Sequence, residues 1–304
     1  MTAGTPAAPN VAAARGRESA PPSQTRRGAR ARAHLAGWSV PLVVFALIAS
    51  TGPLLRPYDP VTVRLGDRLR PPGAVLGDGS RAWLGTDQVG KDLLAQVLQG
   101  ARISMLVGAV TVLTAAAVGL AAGVAAGVSG GALDAALMRL ADLQLAFPSI
   151  LLAILIAAVL GRSVANVIIT LAITRWVTFA RVARASALVT KEREFVTAAR
   201  AVGAGSARLV TRHILPFAVT PLVVVATVEL GLVILAEASL SFLGLGTPPE
   251  HPSWGLVIAN GRDYLSTAWW ISTIPGLALS LVVIAIGQFG DRLRDHLDPR
   301  LALE

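Results

Sequence analysis

Residues 103–133 read ISMLVGAVTVLTAAAVGLAAGVAAGVSGGAL, a run without one charged side chain. A helix needs about 20 predominantly apolar residues to cross a bilayer, so this run is predicted to be a transmembrane span. Within it Gly119, Gly123 and Gly127 recur every fourth residue. That spacing puts them on one helix face, where a second backbone can approach closely, and marks a candidate helix-packing face. A chain this rich in Ala and Gly also throws up such spacings by chance.

Five more apolar stretches flank this one. Residues 35–55 carry no charge and hold Trp38 near one end, as an interfacial anchor does. Residues 143–161 follow a short amphipathic lead-in with Asp134, Arg139 and Asp142; residues 163–180 come next, then a span within 214–245 and one over 268–289 that starts with Trp269 and Trp270. The chain as a whole agrees. Of its 304 residues 54% are hydrophobic and 15% charged, with a mean hydropathy of +0.63, whereas a soluble domain carries roughly a quarter charged residues. The predicted fold is an all-α polytopic membrane protein of six transmembrane helices with a small external insert after the first span.

The net charge of +9 and pI near 11.3 do not signal nucleic acid, because the basic residues cluster beside apolar spans, where they orient the chain. Residues 1–34 hold six arginines among Ala, Pro, Ser, Gly and Thr and are predicted to be a disordered basic tail. An even span count puts both termini on one side, and that tail together with the seven Lys/Arg between Arg181 and Arg212 makes this side the cytoplasm. Residues 56–102 are then the external insert, although they too carry seven Lys/Arg, partly offset by five Asp. The last segment, 291–304, is a cytoplasmic tail. With no cysteine, the chain has no disulfide and no thiolate chemistry.

Several apparent sites dissolve on inspection. Gly85 to Asp92 has phosphate-loop spacing, but Asp92 stands where a Ser or Thr hydroxyl would hold magnesium, and no apolar strand precedes it. His34, His213, His251 and His296 are scattered, with no HExxH pair, and only His251 is predicted outside, so no metal site is expected. Glu229 and Glu237 lie on one helix, about 12 Å apart along its axis, which is too far for shared acid–base work. Each is a candidate intramembrane polar site that must face protein or water. Arg175, inside the fourth span, lies toward the end leading to Arg181 and Arg184, and is predicted to snorkel to that interface.

The informative loop is 191–216. Phe195, Ala198, Ala199 and Val202 share one side at helical spacing, Lys191, Arg193, Glu194 and Arg200 fill the remainder, and Gly203-Ala-Gly205 ends the element. This is a short amphipathic helix, too alanine-rich for a membrane anchor and suited to a groove on another protein.

Here the chain resembles a known family. Thr197-Ala-Ala199, Gly203 and Leu215-Pro216 fall at the spacing of the EAA loop of binding-protein-dependent ABC importer permeases, with Thr197 in place of the first Glu and His213 in place of an Ile. Trp83-Leu-Gly-Thr-Asp87, Gly100-Ala-Arg-Ile-Ser104, Ala146-Phe-Pro-Ser149, Glu192-Arg-Glu-Phe195, Leu240-Ser-Phe-Leu-Gly-Leu-Gly246, Pro252-Ser-Trp-Gly255, Gly261-Arg-Asp-Tyr264 and Leu297-Asp-Pro-Arg300 are similar to the C-type subunit of dipeptide/oligopeptide/nickel permeases. The resemblance implies an ABC importer transmembrane domain over 103–290 with a coupling region at 188–206, in a bacterial inner membrane. It implies a non-catalytic subunit with no cofactor of its own, ATP being used by two partner ATP-binding subunits. The other implied partners are a homologous B-type permease subunit, an external solute-binding protein and membrane lipid. Phe195, Thr197, Ala198, Ala199, Val202, Gly203, Leu215 and Pro216 would meet the ATPase. The competing reading, an ion-coupled secondary transporter, would use Glu229, Glu237 or Arg175 as relay groups.

Overall fold

The computed structural model describes Val40, residues 42–59 and residues 61–297. The predicted tail at 1–34, the start of the first span and the residues after 297 lie outside the described residues. Helix α1 is Leu42–Leu55. The insert follows, with a two-stranded antiparallel ribbon, β1 (Ala74–Val75) against β2 (Arg81–Ala82), pairing Ala74 with Ala82.

The insert is tied by side chains rather than by a large core. Asp87 accepts from the backbone N–H of Val89 and Lys91 and from the Gln96 amide, while the Thr86 hydroxyl donates to the Asp67 carbonyl. Gly85 and Gly90 take φ of +86° and +80°. A side chain at Gly90 would sit 1.9 Å from the Arg64 carbonyl, so the glycines of the phosphate-loop lookalike serve a tight turn. Asp92 pairs with Arg56 at 2.7 Å.

Helix α2 runs Leu93–Ser129, so it begins ten residues before the predicted span and claims the end of the insert. Arg102 marked the expected boundary, but it points outward from a helix of about 55 Å, far longer than a bilayer core. The helix stops at Ser129 instead of Leu133 because Gly130 and Gly131 take φ of +62° and +56°. The predicted third span is replaced by α3 (Gly131–Leu145) and α4 (Ser149–Leu160), bent by 89°. Pro148 explains the break: it has no N–H for a continuous helix and drives the residue before it out of helical geometry.

Helix α5 (Val164–Lys191) continues eleven residues past the predicted end, α6 is Glu194–Ala201 and α7 is Ser206–Leu209. A π turn over Val210–Ile214 then feeds α8, Leu215–Phe242. Pro216 cannot donate the next helical hydrogen bond, and the Leu215 N–H reaches five residues back to Val210. Helices α9 (Trp254–Gly261) and α10 (Trp270–Leu297) are the last among the described residues. Among the described residues four helices are long and apolar enough to cross a bilayer, five if α3 and α4 form one broken span. A count of six requires α1, whose start is not described.

The core is a seam between α2 and α5, which run parallel. A Cβ at Gly119 would lie 2.6 Å from the Trp176 carbonyl, one at Gly123 2.2 Å from the Ala180 carbonyl, and one at Gly127 2.9 Å from the Arg184 carbonyl. The three glycines therefore carry the backbone of α5 directly on that of α2. Helix α8 closes against both through Ala218, Leu222 and Val233, joined by Ile214 of the π turn.

Candidate functional site

At one end of the bundle α6 projects as a short arm. Arg193 precedes it in extended geometry, Glu194 sits in its first turn and Arg200 in its last, the charge order that a helix dipole favours. Gly203, at φ +87°, turns the chain away, and the Ala204 N–H returns to the Ala199 carbonyl to close the end. The side chain that anchors α6 to the bundle is Val196, fully buried, which the sequence reading passed over. Phe195 stacks on Phe217 of α8 with ring centroids 5.4 Å apart, and the Arg193 guanidinium covers the same ring at 5.5 Å.

Thr197, Ala198 and Gly203 face outward, Ala199 is half-buried, and Val202 is 88% exposed. Of the predicted stripe, Ala198 and Val202 thus lie on the open side of an arm held from behind, while Phe195 turns to α8 and Ala199 is half-buried. Leu215 and Pro216 sit at the start of α8, next to the π turn rather than on the arm.

The two intramembrane carboxylates have different surroundings. Glu237 is fully buried, accepting from the Ser241 hydroxyl at 2.6 Å and from Ser104 of α2 at 3.3 Å. Ser241 in turn accepts from the Ser253 hydroxyl and the Thr247 N–H. Glu229 stands 3.5 Å from Arg175 Nη1. Arg175 therefore does not snorkel to the nearer interface as expected; a carboxylate on the facing helix at its own depth is the closer counter-charge. Arg181 and Arg184, the expected interfacial group, pair with Asp142 and Asp134 of α3.

Most motifs behind the resemblance meet at the opposite, insert-bearing end. Gly100 lies against Trp254, whose indole N–H donates to the Val97 carbonyl, and Trp270 donates to the Thr86 carbonyl. Gly255 sits where a Cβ would be 2.3 Å from the Ala238 carbonyl. These residues clamp the insert, α2, α8 and α9 together. Beside them a cleft of about 420 Å³ opens between the end of α1 and the insert. Tyr58 bonds there to the Pro249 carbonyl and Lys91, and burial, reinforced by Asp87 and Glu250, pushes its hydroxyl up to about 12. Asp59 is held down at about 2 by hydrogen bonds from Thr62 and Val61, and Asp78 at about 2 by Ser80 and Arg64. Among the described residues no group of three or more His, Asp or Glu is placed to hold a metal ion.

Comparison with known proteins agrees with this architecture. The family model described as binding-protein-dependent transport system inner membrane component matches residues 119–303. A di/tripeptide transport system permease protein of Pseudomonas aeruginosa is 40% identical over 260 residues, 86% of this chain and 85% of its own. A glutathione transport system permease protein of Escherichia coli is 44% identical over 225 residues, 74% of each chain. A chain of the inward-facing MetNI methionine ABC transporter shares the fold at a TM-score of 0.55 and 19% identity, over 67% of this chain and 96% of that one. With most of its length inside one family model and two fifths of its residues shared with a permease over nearly its full span, the chain belongs to the binding-protein-dependent transport system inner membrane components and is a multi-pass inner-membrane permease subunit of an ABC importer.

Proposed function

We propose that this permease subunit forms half of the translocation pathway of an ATP-driven peptide importer, with α6 as the element that meets an ATPase subunit. The observation that carries the coupling role is the arm itself: Val196 and the Phe195–Phe217 stack fix it to the bundle, while Val202 and Ala198 remain open to a partner. Peptide cargo is supported by the di/tripeptide and glutathione transporters among its relatives. The remaining pathway half would come from a homologous B-type permease subunit, and solute would arrive on an external binding protein. ATP would be bound and hydrolysed by two partner subunits, with no cofactor or catalytic residue in this chain. Closure of those subunits would push α6, and the spans would pass from inward-open to outward-open. The ion-coupled carrier is set aside by the family.

This reading puts the α6 end and both termini in the cytoplasm and the insert outside. The assay is uptake by the complete transporter in proteoliposomes. Dipeptide uptake should require ATP in the compartment facing α6, and this chain purified alone should neither bind nor hydrolyse ATP. Because the chain has no cysteine, orientation is read by single replacements at two exposed sites, Val75 and Val202. An impermeant thiol reagent applied to cells with a permeabilised outer layer should label Val75→Cys and spare Val202→Cys. The reverse pattern inverts the topology, and uptake that survives ATP depletion removes the importer reading.

A further inference from the structure

We propose that Arg175 and Glu229 together form a mid-membrane subsite for an ampholytic solute, the guanidinium taking its carboxylate and the glutamate its ammonium group. The proposal rests on the peptide-importer reading and adds the place where cargo is held. Depth comes first. Arg175 lies about 16 Å along α5 from Val164, and Glu229 about 20 Å along α8 from Phe242; with those helix ends at the edge of a hydrocarbon layer of about 30 Å, the pair falls near its middle. A site there can be reached from either face in turn, as alternating access requires.

The pair's own geometry comes second. Other ion pairs of this chain are closer: Arg184 grips both oxygens of Asp134 at 2.5 and 2.6 Å, and Arg56 meets Asp92 at 2.7 Å and Arg181 meets Asp142 at 2.6 Å. Arg175 meets Glu229 through a single approach of 3.5 Å. The Thr178 side chain hydrogen-bonds to the Glu229 carboxylate, yet Arg175 Nε and Glu229 Oε2 are both buried without a hydrogen bond among the described residues. Glu237, eight residues on, contrasts with this, since serine hydroxyls satisfy both of its oxygens. Opposite charges held near each other with hydrogen-bonding capacity to spare suit a solute carrying the same two charges. A carboxylate can take the Arg175 fork and an ammonium can donate to Glu229, while without solute the two residues still compensate one another. Arg175 is the more reachable, with 20% of its side chain exposed against 7% for Glu229.

The test uses the complete transporter in proteoliposomes with dialanine as probe, comparing Arg175→Gln, Glu229→Gln and the exchanged pair Arg175→Glu with Glu229→Arg. Each single variant should assemble, keep ATP hydrolysis stimulated by loaded binding protein, and lose dialanine uptake about tenfold to a hundredfold, the effect of one charge-assisted hydrogen bond. The exchanged pair restores charge compensation with reversed polarity, so it should assemble and still transport poorly. Recovery of uptake in the exchanged pair would show a mere strut and overturn the site, as would wild-type uptake in the single variants. Loss of assembly in the isosteric Glu229→Gln also marks a strut. If the wild-type complex hydrolyses ATP yet takes up no dipeptide, the peptide reading fails, and the subsite falls with it.

Discussion

Replacing Gly123 with leucine should abolish the folded permease. An ideal Cβ at this position already lies 2.2 Å from the Ala180 carbonyl and 2.9 Å from the Arg184 N, and both are backbone atoms of α5. No rotamer change relieves such a contact; the two helices must part. Overpacking a tight contact typically costs about 1 to 3 kcal/mol and more where backbone must move, a large share of the 5 to 15 kcal/mol that holds a domain folded. Gly123→Ala should lower the melting temperature of the purified subunit, and Gly123→Leu should leave no monodisperse protein in detergent. Gly287→Ala is the control, since a Cβ there meets nothing within 4 Å; in a helix interior it should be neutral or gain up to about 1 kcal/mol. A leucine variant that melts at the wild-type temperature would contradict the seam.

Ala199→Trp and Val202→Asp should leave folding intact and uncouple transport from ATP hydrolysis. Val202 is 88% exposed, and half-buried Ala199 lies on α6 outside the core packed between the spans, so neither substitution enters that core. A bulky ring would hold the partner surface away from the arm, and a charge would be buried unpaired on docking. A penalty of about 1 to 3 kcal/mol shifts docking by roughly fivefold to more than a hundredfold. The measurement is retention of ATPase subunits through purification, followed by hydrolysis stimulated by loaded binding protein. Gly203→Asp should act by another route: its Cβ has open space, and the cost of about 1 kcal/mol lies in the φ of +87°, so it tilts the arm rather than blocking it. Undiminished ATPase association with wild-type uptake in all three variants would remove α6 from the coupling mechanism.

Periodicity made the long helices and α6 legible, because an apolar run and a 3.6-residue stripe are local properties of a sequence. Three things were not local. The parallel pairing of α2 with α5, which gives Gly119, Gly123 and Gly127 their partners, depends on two segments some sixty residues apart. The pairing of Arg175 with Glu229 overrode the snorkelling expected from chain position, since depth in the bundle decides which counter-charge is nearest. Val196 escaped notice because α6 was read for its outward stripe, and a single anchoring valine has no pattern of its own. The 89° bend after α3 had a signal, Pro148, but the apolar run around it reads as one continuous span.

With α6 meeting an ATPase subunit as proposed, the stack of Arg193, Phe195 and Phe217 would set the load path of the arm. Along the chain α6 connects onward through Gly203-Ala-Gly205, where the φ of +87° at Gly203 turns the backbone off the helix axis. Across the stack the same force would pass ring to ring into α8 within about 5 Å. Thrust would then be delivered by contact, as in a strut bearing on a beam, while the linker would only have to keep up. A chain lengthened by a residue between Gly203 and Gly205 would transmit the stroke unchanged, whereas Phe217→Ala would leave α6 in place on Val196 and let it slip under load.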